Sequence, residues 1–314
     1  FSIKADVKNE GSITIPARLI SSFVGLLEDE SVDLRVDESL TLHIKTKTTA
    51  TKIKGISAEE FPIIPKVEKE HSFSIIAEKL AEAIDQTVFS AAVTTTRPVL
   101  AGVYFGLSKD ILKLAATDSY RLAEKQITLD KKSDSSIECI VPAKTLLELW
   151  RILSGEYGKE VVEVSVSKNQ AMFKIDELEL TSRLIEGKFP DYEKIIPKST
   201  RTKLVARVDK LNNATRRVNL FAKENNNSIK LSVTNDGRMQ ISTDETRIGE
   251  ENEEVEVKIQ GENNKVAINA QYLMDVLNRL KDSVIIEMSE KLTPVLVKPE
   301  KGDGYVYIIM PLKV

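Results

Sequence analysis

One strand-and-helix pattern recurs five times along the 314-residue chain and limits the fold more than any other feature. It is clearest at residues 140–153, where a short apolar run meets Pro142 and then an amphipathic stretch. One apolar residue of the helix in each repeat serves as the anchor on which the repeats are aligned. Apolar residues seven and five positions before the anchor predict a half-buried strand. Apolar residues three or four positions after it predict the apolar stripe of a helix. A period of 60 to 66 residues indicates one supersecondary unit used repeatedly. The helix anchors are Ile20, Leu80, Leu146, Leu211 and Leu273.

Each repeat reads as a strand, a helix and about three more strands, which predicts an α+β fold made of βαβββ half-domains. Two proline-bracketed connectors, at 61–66 and 189–198, start 128 residues apart, which is two repeats. We therefore expect half-domains to pair into similar domains, at 70–198 and 199–314, with a half-domain at 1–69. Three paired domains need six repeats, so a further half-domain is expected before Phe1.

Local patterns give the boundaries of the expected elements. Residues 1–8 alternate like a strand, and a helix with proline at its start is expected from Pro16 to Leu27. An acidic run at 250–256 is expected to form a solvated strand face. The polar residues 117–121 predict a tight turn inside the apolar stretch 112–127. Further strands are expected at 32–36, 40–45 and 51–56, and further helices near 208–221 and 269–281.

Composition describes a globular protein, with 41% hydrophobic and 30% charged residues. The formal net charge of −3, from 45 basic and 48 acidic residues, excludes a uniformly basic nucleic-acid binder but permits basic residues gathered on one surface. Cys139 is the only cysteine and lies in the apolar strand of its repeat. It is therefore interpreted as a core residue, and the single cysteine indicates a reducing compartment. No apolar run approaches the ~20 residues of a membrane helix, so no membrane partner is expected.

The chain lacks the residues that common catalytic sites use. It has two histidines and one cysteine, no glycine-rich phosphate loop, no GxSxG elbow and no HExxH motif. Asp118 and Arg121 are interpreted as an ion pair that closes a turn rather than as a catalytic pair. We therefore expect neither a cofactor nor a metal, and no enzyme activity.

A chain of equivalent half-domains can continue one sheet from domain to domain. Such a sheet can close into a ring if a head-to-tail contact between copies completes a full turn. The predicted helix segments together carry a charge of +2 in a chain of −3. That modest enrichment fits loose contact with the phosphates of an enclosed nucleic acid.

Five motifs stand in order between residues 116 and 314: ATDSYRLA (116–123), SRLIEGKFPDYEKIIP (182–197), INAQYLMDVLN (268–278), TPVLVKP (293–299) and YIIMPLKV (307–314). With these motifs the chain resembles, over its whole length, the bacterial DNA polymerase III β subunits, the replicative sliding clamps. The resemblance implies a DNA-clamp fold of continuous antiparallel sheets with inward helices, in which 1–69 is the second half of domain I, 70–198 is domain II and 199–314 is domain III. It also implies a non-catalytic homodimeric ring around duplex DNA in the bacterial cytoplasm.

The resemblance further implies partners that insert a short apolar and aromatic motif between domains II and III. These partners are the DNA polymerase III α subunit, the clamp loader and other proteins with a clamp-binding motif. Lys194 stands where the family commonly has arginine, and Ser119 and Tyr120 stand where it usually has glycine and often histidine. The implied peptide-binding residues are Leu100, Thr117, Ser119, Tyr120, Arg121, Leu122, Pro190, Lys194, Ile195, Asn269, Tyr272, Leu292, Pro294, Met310, Pro311 and Leu312.

Two further sets of residues follow from the same resemblance. Residues of the joint between copies are expected on the last basic helix and on the strand 51–56, and DNA contacts are expected on basic side chains of the helices and one loop. The joint residues are Leu220, Phe221, Lys52, Ile53 and Lys54. The DNA contacts are Arg97, Lys144, Arg151, Arg216, Arg217 and Lys223.

Two other hypotheses stay open at this point. The first is a hydrolase or transferase built on a repeat scaffold, which the missing pair of nucleophile and base disfavours. The second is a truncated clamp-like module that binds peptides but cannot close a ring. Measurements of self-association in solution and of retention on circular DNA distinguish this truncated module from a clamp that closes a ring.

Overall fold

The computed structural model describes residues 3–28, 31–61, 70–94, 96–132, 136–155, 157–245, 247 and 249–313. The chain divides into two compact units, Phe1–Lys66 and Val67–Val314. Most of the proline-bracketed connector at 61–66 lies outside the described residues. The second connector contains a short 3-10 helix at Tyr192–Ile195.

The first unit is one half-domain with a small core. Its helix packs on the sheet through Ile20 and Phe23, which contact the buried Leu42, Ile44 and Ile53. The predicted helix and three strands are confirmed, but the strand predicted at 1–8 is wrong for residues 3–8, which are exposed and lack a paired strand. The elements are α1 (Ala17–Val24), β1 (Asp33–Val36), β2 (Thr41–Lys45) and β3 (Ala50–Lys54), in the antiparallel order β1-β2-β3.

The second unit repeats the pattern of strand, helix and three strands four times. Proline or another extended residue precedes each helix, and the apolar stripe of the helix then begins. The first two repeats contain β4 (His71–Ile76), α2 (Ala77–Val88), β5 (Gly102–Ser108), β6 (Ile111–Thr117), β7 (Arg121–Thr128), β8 (Ile137–Pro142), α3 (Ala143–Leu153), β9 (Val161–Val166), β10 (Gln170–Ile175) and β11 (Leu178–Arg183).

The last two repeats add a strand that the sequence pattern did not predict, β16, which pairs with β12 at a sheet edge. The acidic run at 250–256 includes strand β15 with only Val255 buried, so the predicted solvated face is confirmed. The elements are β12 (Thr202–Arg207), α4 (Val208–Ala222), β13 (Ser228–Thr234), β14 (Arg238–Ser242), β15 (Asn252–Glu256), β16 (Lys258–Gly261), β17 (Asn264–Asn269), α5 (Ala270–Leu277), β18 (Ser283–Met288), β19 (Val295–Pro299) and β20 (Tyr305–Ile309).

A nine-stranded antiparallel sheet joins the middle and the last part of the chain. Its order is β16-β12-β18-β19-β20-β7-β6-β5-β8, and four-stranded sheets β11-β10-β9-β4 and β15-β14-β13-β17 accompany it. The two parts of the chain meet within this sheet where β20 pairs with β7. Ile308 stands opposite Leu122, and Ile309 stands opposite Arg121. One sheet therefore continues from the middle to the last part of the second unit.

Alternation along β7 and β20 separates the two faces of this sheet. Ala123 and Tyr307 belong to a core that includes α4 and α5, so they point to the helix face. Leu122 and Ile308 belong to a second cluster with Phe189 on the opposite side, which we call the connector face. Because successive side chains of a strand point to opposite faces, this alternation decides which candidate residues lie together.

Candidate functional site

The turn between β6 and β7 is held by its own polar side chains. The Thr117 hydroxyl donates to the Arg121 carbonyl at 2.6 Å and accepts from the Ser119 N–H at 3.1 Å. The Asp118 carboxylate accepts from the N–H groups of Tyr120 and Arg121 at 2.9 and 3.0 Å. Ser119 adopts a φ of +79°, which a short polar residue tolerates better than a branched one. These bonds fix Tyr120 at the tip, where 63% of it is exposed.

The C-terminal segment runs beside this turn. The Met310 N–H donates to the Tyr120 carbonyl at 2.9 Å, and the Leu312 N–H donates to the Ala267 carbonyl of β17 at 2.8 Å. The segment Met310–Leu312 is half-buried and lies between the β6–β7 turn and β17. Main-chain bonds on both sides therefore fix the backbone of this segment.

The floor beneath Met310 is a packed apolar cluster on the connector face. Met310 contacts the cluster that contains Leu122, Ile308, Phe189 and Tyr192. Burial and a hydrogen bond to Glu124 raise the pKa of Tyr192, whose hydroxyl donates to that carboxylate at 2.5 Å. This bond ties the connector at 189–198 to β7. We call the surface over this cluster, between the connector, the β6–β7 turn and the segment Met310–Leu312, the cleft.

Several predicted peptide-binding residues are buried rather than exposed. Leu122 has no exposed surface, and Leu100 and Thr117 are 4% and 6% exposed. Their side chains can shape the cleft from beneath but do not form its surface. The exposed or half-buried predicted residues are Ser119, Tyr120, Arg121, Pro190, Lys194, Ile195, Asn269, Tyr272, Leu292, Pro294, Met310, Pro311 and Leu312.

Lys194 and Asn269 make local contacts that the sequence did not predict. The Lys194 ammonium pairs with Asp191 at 2.6 Å within the connector, and 81% of its side chain is exposed. The Asn269 side chain caps α5, accepting from the Gln271 N–H at 2.8 Å and donating to the Asn226 carbonyl at 3.2 Å. Capping of this kind stabilises the start of a helix by about 1 kcal/mol.

Arg121 points to the helix face, away from Leu122 and the connector. Its Nε donates to Asp118 at 3.0 Å, and this confirms the predicted turn-closing ion pair. One terminal nitrogen pairs with Asp275 of α5, and the other donates to the Phe89 carbonyl after α2 at 2.8 Å. The guanidinium lies 4.7 Å from the ring centroid of Tyr272 and 5.5 Å from that of Phe89.

A second arginine completes this junction. Arg279 lies 4.1 Å from the Phe89 ring centroid and donates to the Asp85 carbonyl of α2 at 2.9 Å. Tyr307 stacks on Phe89 with centroids 5.6 Å apart. Cation–π contacts and charge-assisted hydrogen bonds therefore tie α2 and the β6–β7 turn to α5. Sequence reasoning missed Phe89, Asp275 and Arg279.

The basic side chains predicted to contact DNA differ in whether they already have ion-pair or hydrogen-bond partners in the structure. Lys144 and Lys223 are exposed and make no ion pair within the described residues, and Arg97 is exposed on the loop before β5. Arg151 pairs with Glu148 at 2.7 Å, and Arg217 pairs with Glu253 of β15. Arg216 donates to the Asn278 side chain at 3.0 Å. The Arg151 pair is exposed on both sides and is worth at most about 1 kcal/mol, so a phosphate can replace its carboxylate.

The predicted joint residues fall on two different units of the chain. In the first unit, β3 is an edge strand in which Ile53 is 3% exposed and packs in the core, while Lys52 and Lys54 face away from it. Ile53 can therefore contribute to a joint through its backbone but not through its side chain. In the second unit, Leu220 is 59% exposed and Phe221 is half-buried near the end of α4.

Other sequence-based expectations concern Cys139, metals and membranes. Cys139 packs against the core of the middle half-domains, and burial raises the pKa of its thiol to about 12. Among the residues that the structure describes, no three histidine, cysteine, aspartate or glutamate side chains are grouped to hold a metal ion. In the same part of the chain, no helix is both long enough and apolar enough to cross a membrane.

Comparison with known proteins gives a consistent result. The model of the central domain of the DNA polymerase III beta subunit matches residues 74–191, and that of its C-terminal domain matches residues 193–313. The beta sliding clamp of Bacillus subtilis (strain 168) is 30% identical over 310 residues, which are 98% of this chain and 82% of the relative. The beta sliding clamp of Halalkalibacterium halodurans is 29% identical over 313 residues, with the same two coverages.

Solved structures agree with these relatives. The B. subtilis DNA polymerase sliding clamp superposes with a TM-score of 0.93 at 29% identity, over 98% of this chain and 82% of that one. A Pseudomonas aeruginosa sliding clamp bound to griselimycin gives 0.93 at 29% identity, over 98% and 83%. Fold and sequence together define a DNA sliding clamp. The chain belongs to the family of bacterial DNA polymerase III β subunits, the β sliding clamps, and the predicted DNA-clamp fold is confirmed.

Proposed function

We propose that this protein is a processivity clamp that encircles duplex DNA as a head-to-tail homodimer and has no catalytic activity or cofactor of its own. Residues 1–69 contribute part of the first domain, 70–198 form the second and 199–314 the third. The observation that carries the proposal is the nine-stranded sheet that continues across the second unit, with helices packed on one face. A sheet continued between copies in the same way would form a closed ring.

The cleft around Met310 is proposed to bind the short motifs of DNA polymerase III α, the clamp loader and other clamp-binding proteins. An apolar floor with exposed Tyr120, Ile195 and Leu292 on its rim suits a peptide with apolar and aromatic anchors. Leu122, Leu100 and Thr117 act beneath the surface in this proposal. Arg121 acts as a positioning residue, because its guanidinium holds the two walls of the cleft together from the helix face.

DNA is proposed to lie against the helix face without base-specific contacts. Lys144, Lys223 and Arg97 are the proposed first phosphate contacts, because these three are exposed and free of ion pairs within the described residues. Arg216, Arg217 and Arg151 contribute when their present partners are exchanged for phosphates. Contacts of this kind depend strongly on salt, and salt dependence suits a protein that slides rather than one that reads sequence.

The ring joint is proposed to form between β3 of one copy and β15 of its partner. On β3, Lys52 and Lys54 face away from the core, and on β15 Glu254 and Glu256 are exposed. No strand of the described residues pairs with the outer side of β15, whereas the C-terminal segment bonds to β17 at the other edge of the same sheet. Antiparallel pairing of these edges would place lysines opposite glutamates, and Leu220 with Phe221 would add apolar contact.

Charge reversal tests this joint. Changing Lys52 and Lys54 together to glutamate is expected to raise the dimer dissociation constant at least about tenfold, because like charges then face one another. Sedimentation velocity over a range of protein concentrations measures it. Adding Glu254→Lys and Glu256→Lys is expected to restore association. Lys45→Glu, on the central strand β2, is the control. Equal association of all variants would exclude β3 from the joint.

A further inference from the structure

A groove of about 480 Å³ beside the C-terminal segment has an unusual combination of charge and apolar surface. Its apolar floor includes Leu292, which is 61% exposed, and Leu312. Four lysines surround that floor, and no acidic side chain lines it. The lysines are Lys230 of β13, Lys265 of β17, Lys291 before β19 and Lys313 of the C-terminal segment.

Three of these lysines have no carboxylate to neutralise them. Lys230 pairs with Asp244, but Lys265, Lys291 and Lys313 make no ion pair within the described part of the chain. They come from three segments that are distant in sequence, so the fold rather than one charged run assembles them. Ammonium groups gathered around an apolar surface attract anionic groups, and they do so more strongly when a ligand excludes water.

The position of the groove separates it from the proposed DNA surface. Val266 and Ile268 of β17 point into the core with α4 and α5, so Lys265 and Ala267 point to the other side of that sheet. Lys230 stands opposite Ala267 in the register and shares that side. The groove therefore lies on the side of this sheet away from the helices. Its leucine floor also suits a peptide side chain better than a phosphate backbone.

We propose that this groove binds acidic residues that flank the apolar motif of a partner peptide. The inference rests on the proposed peptide-binding function, because Leu292 and Leu312 belong to both the groove and the cleft next to Met310. In a bound peptide, one apolar side chain contacts Leu292 and Leu312, and neighbouring carboxylates pair with Lys265, Lys291 and Lys313. The groove thus selects among partners by the charge next to their motif.

Two matched peptides test the proposal. Both are fluorescein-labelled and carry the same leucine and phenylalanine anchors, and the anchors are flanked on each side by Asp-Glu-Asp in one peptide and by Asn-Gln-Asn in the other. Fluorescence anisotropy with the full chain is expected to give about tenfold tighter binding of the acidic peptide at low salt, from about three exposed ion pairs. The preference is expected to shrink as salt rises.

A triple variant assigns the preference to the groove. Lys265→Gln, Lys291→Gln and Lys313→Gln together are expected to remove the preference and leave the affinity for the neutral peptide unchanged. The control variant, Lys109→Gln with Lys168→Gln and Lys258→Gln, removes three exposed lysines elsewhere in the same unit and is expected to keep the preference. Equal melting temperatures verify that the variants are folded.

The possible failures are distinguishable. Equal binding of both peptides by the unchanged protein, or a preference that survives the triple variant, would overturn the inference while the peptide-binding function stands. Absence of binding by both peptides would overturn both. If the triple variant instead loses affinity for a short DNA duplex, or changes its sedimentation, the surface contacts DNA or a second copy and the proposal is wrong.

Discussion

Arg121→Ala is expected to cost the second unit about 3 kcal/mol of unfolding free energy. The Arg121 side chain is 11% exposed, and its guanidinium pairs with both Asp118 and Asp275. Removing it leaves two half-buried carboxylates without a cation and takes the donor from the Phe89 carbonyl. Breaking a buried ion pair by removing one partner is strongly destabilising, because the remaining charge stays out of water.

Thermal unfolding followed by circular dichroism measures this effect. For a unit of this size, 3 kcal/mol corresponds to a fall in Tm of about 6–12 °C. Arg151→Ala is the matched control, because it breaks an arginine–carboxylate pair in which both side chains are more than half exposed. The control is expected to change stability by less than about 1 kcal/mol. Similar losses in the two variants would mean that the Arg121 contacts with Asp118, Asp275 and Phe89 do not stabilise the second unit.

Met310→Ala is expected to weaken binding of a polymerase tail peptide about 30-fold, which corresponds to about 2 kcal/mol. Met310 is half-buried over the floor formed by Leu122 and Ile308, so its side chain forms part of the surface that a peptide anchor would contact. The measurement is anisotropy of a fluorescein-labelled peptide from the C-terminal tail of a bacterial DNA polymerase III α subunit.

The choice of variant matters for this experiment. Leu122→Ala is unsuitable, because a leucine without exposed surface typically costs 2–5 kcal/mol of folding free energy when truncated. Leu147→Ala is the control, since Leu147 is an apolar residue of α3 that is 41% exposed and lies away from the cleft. Unchanged peptide affinity in Met310→Ala, with the fold intact, would exclude Met310 from the site.

The periodic features of the sequence predicted most of the architecture. Anchors such as Leu146 and Leu273 are fully buried, and each lies in a helix at the place where the pattern predicts one. The run at 1–8 failed as a strand for residues 3–8, because alternation describes a strand only when a neighbouring strand supplies hydrogen bonds. Strand β16 was missed because its four residues, with two polar side chains, carry no apolar alternation.

The site was harder to predict than the fold. Period-two alternation along β7 implies that Arg121 and Leu122 point to opposite faces, so the directions of these two side chains could be predicted from the sequence. The partners of Arg121 were not, because Phe89 and Asp275 lie 32 and 154 residues away and no local pattern links them. The groove lysines could not be predicted as a group for the same reason. Contacts between distant segments depend on packing that a local pattern does not encode.

Topological retention on DNA tests the central claim most directly. The protein is incubated with a bacterial clamp-loader complex, ATP and a nicked circular plasmid, and the complex is then isolated by gel filtration at high salt. Because salt screens simple phosphate contacts, only a closed ring stays bound. We predict co-elution with the circle and release after one cut linearises it. Absence from the circle, or equal retention on both forms, would contradict the ring, and peptide binding without retention would favour a module that binds partners but does not encircle DNA.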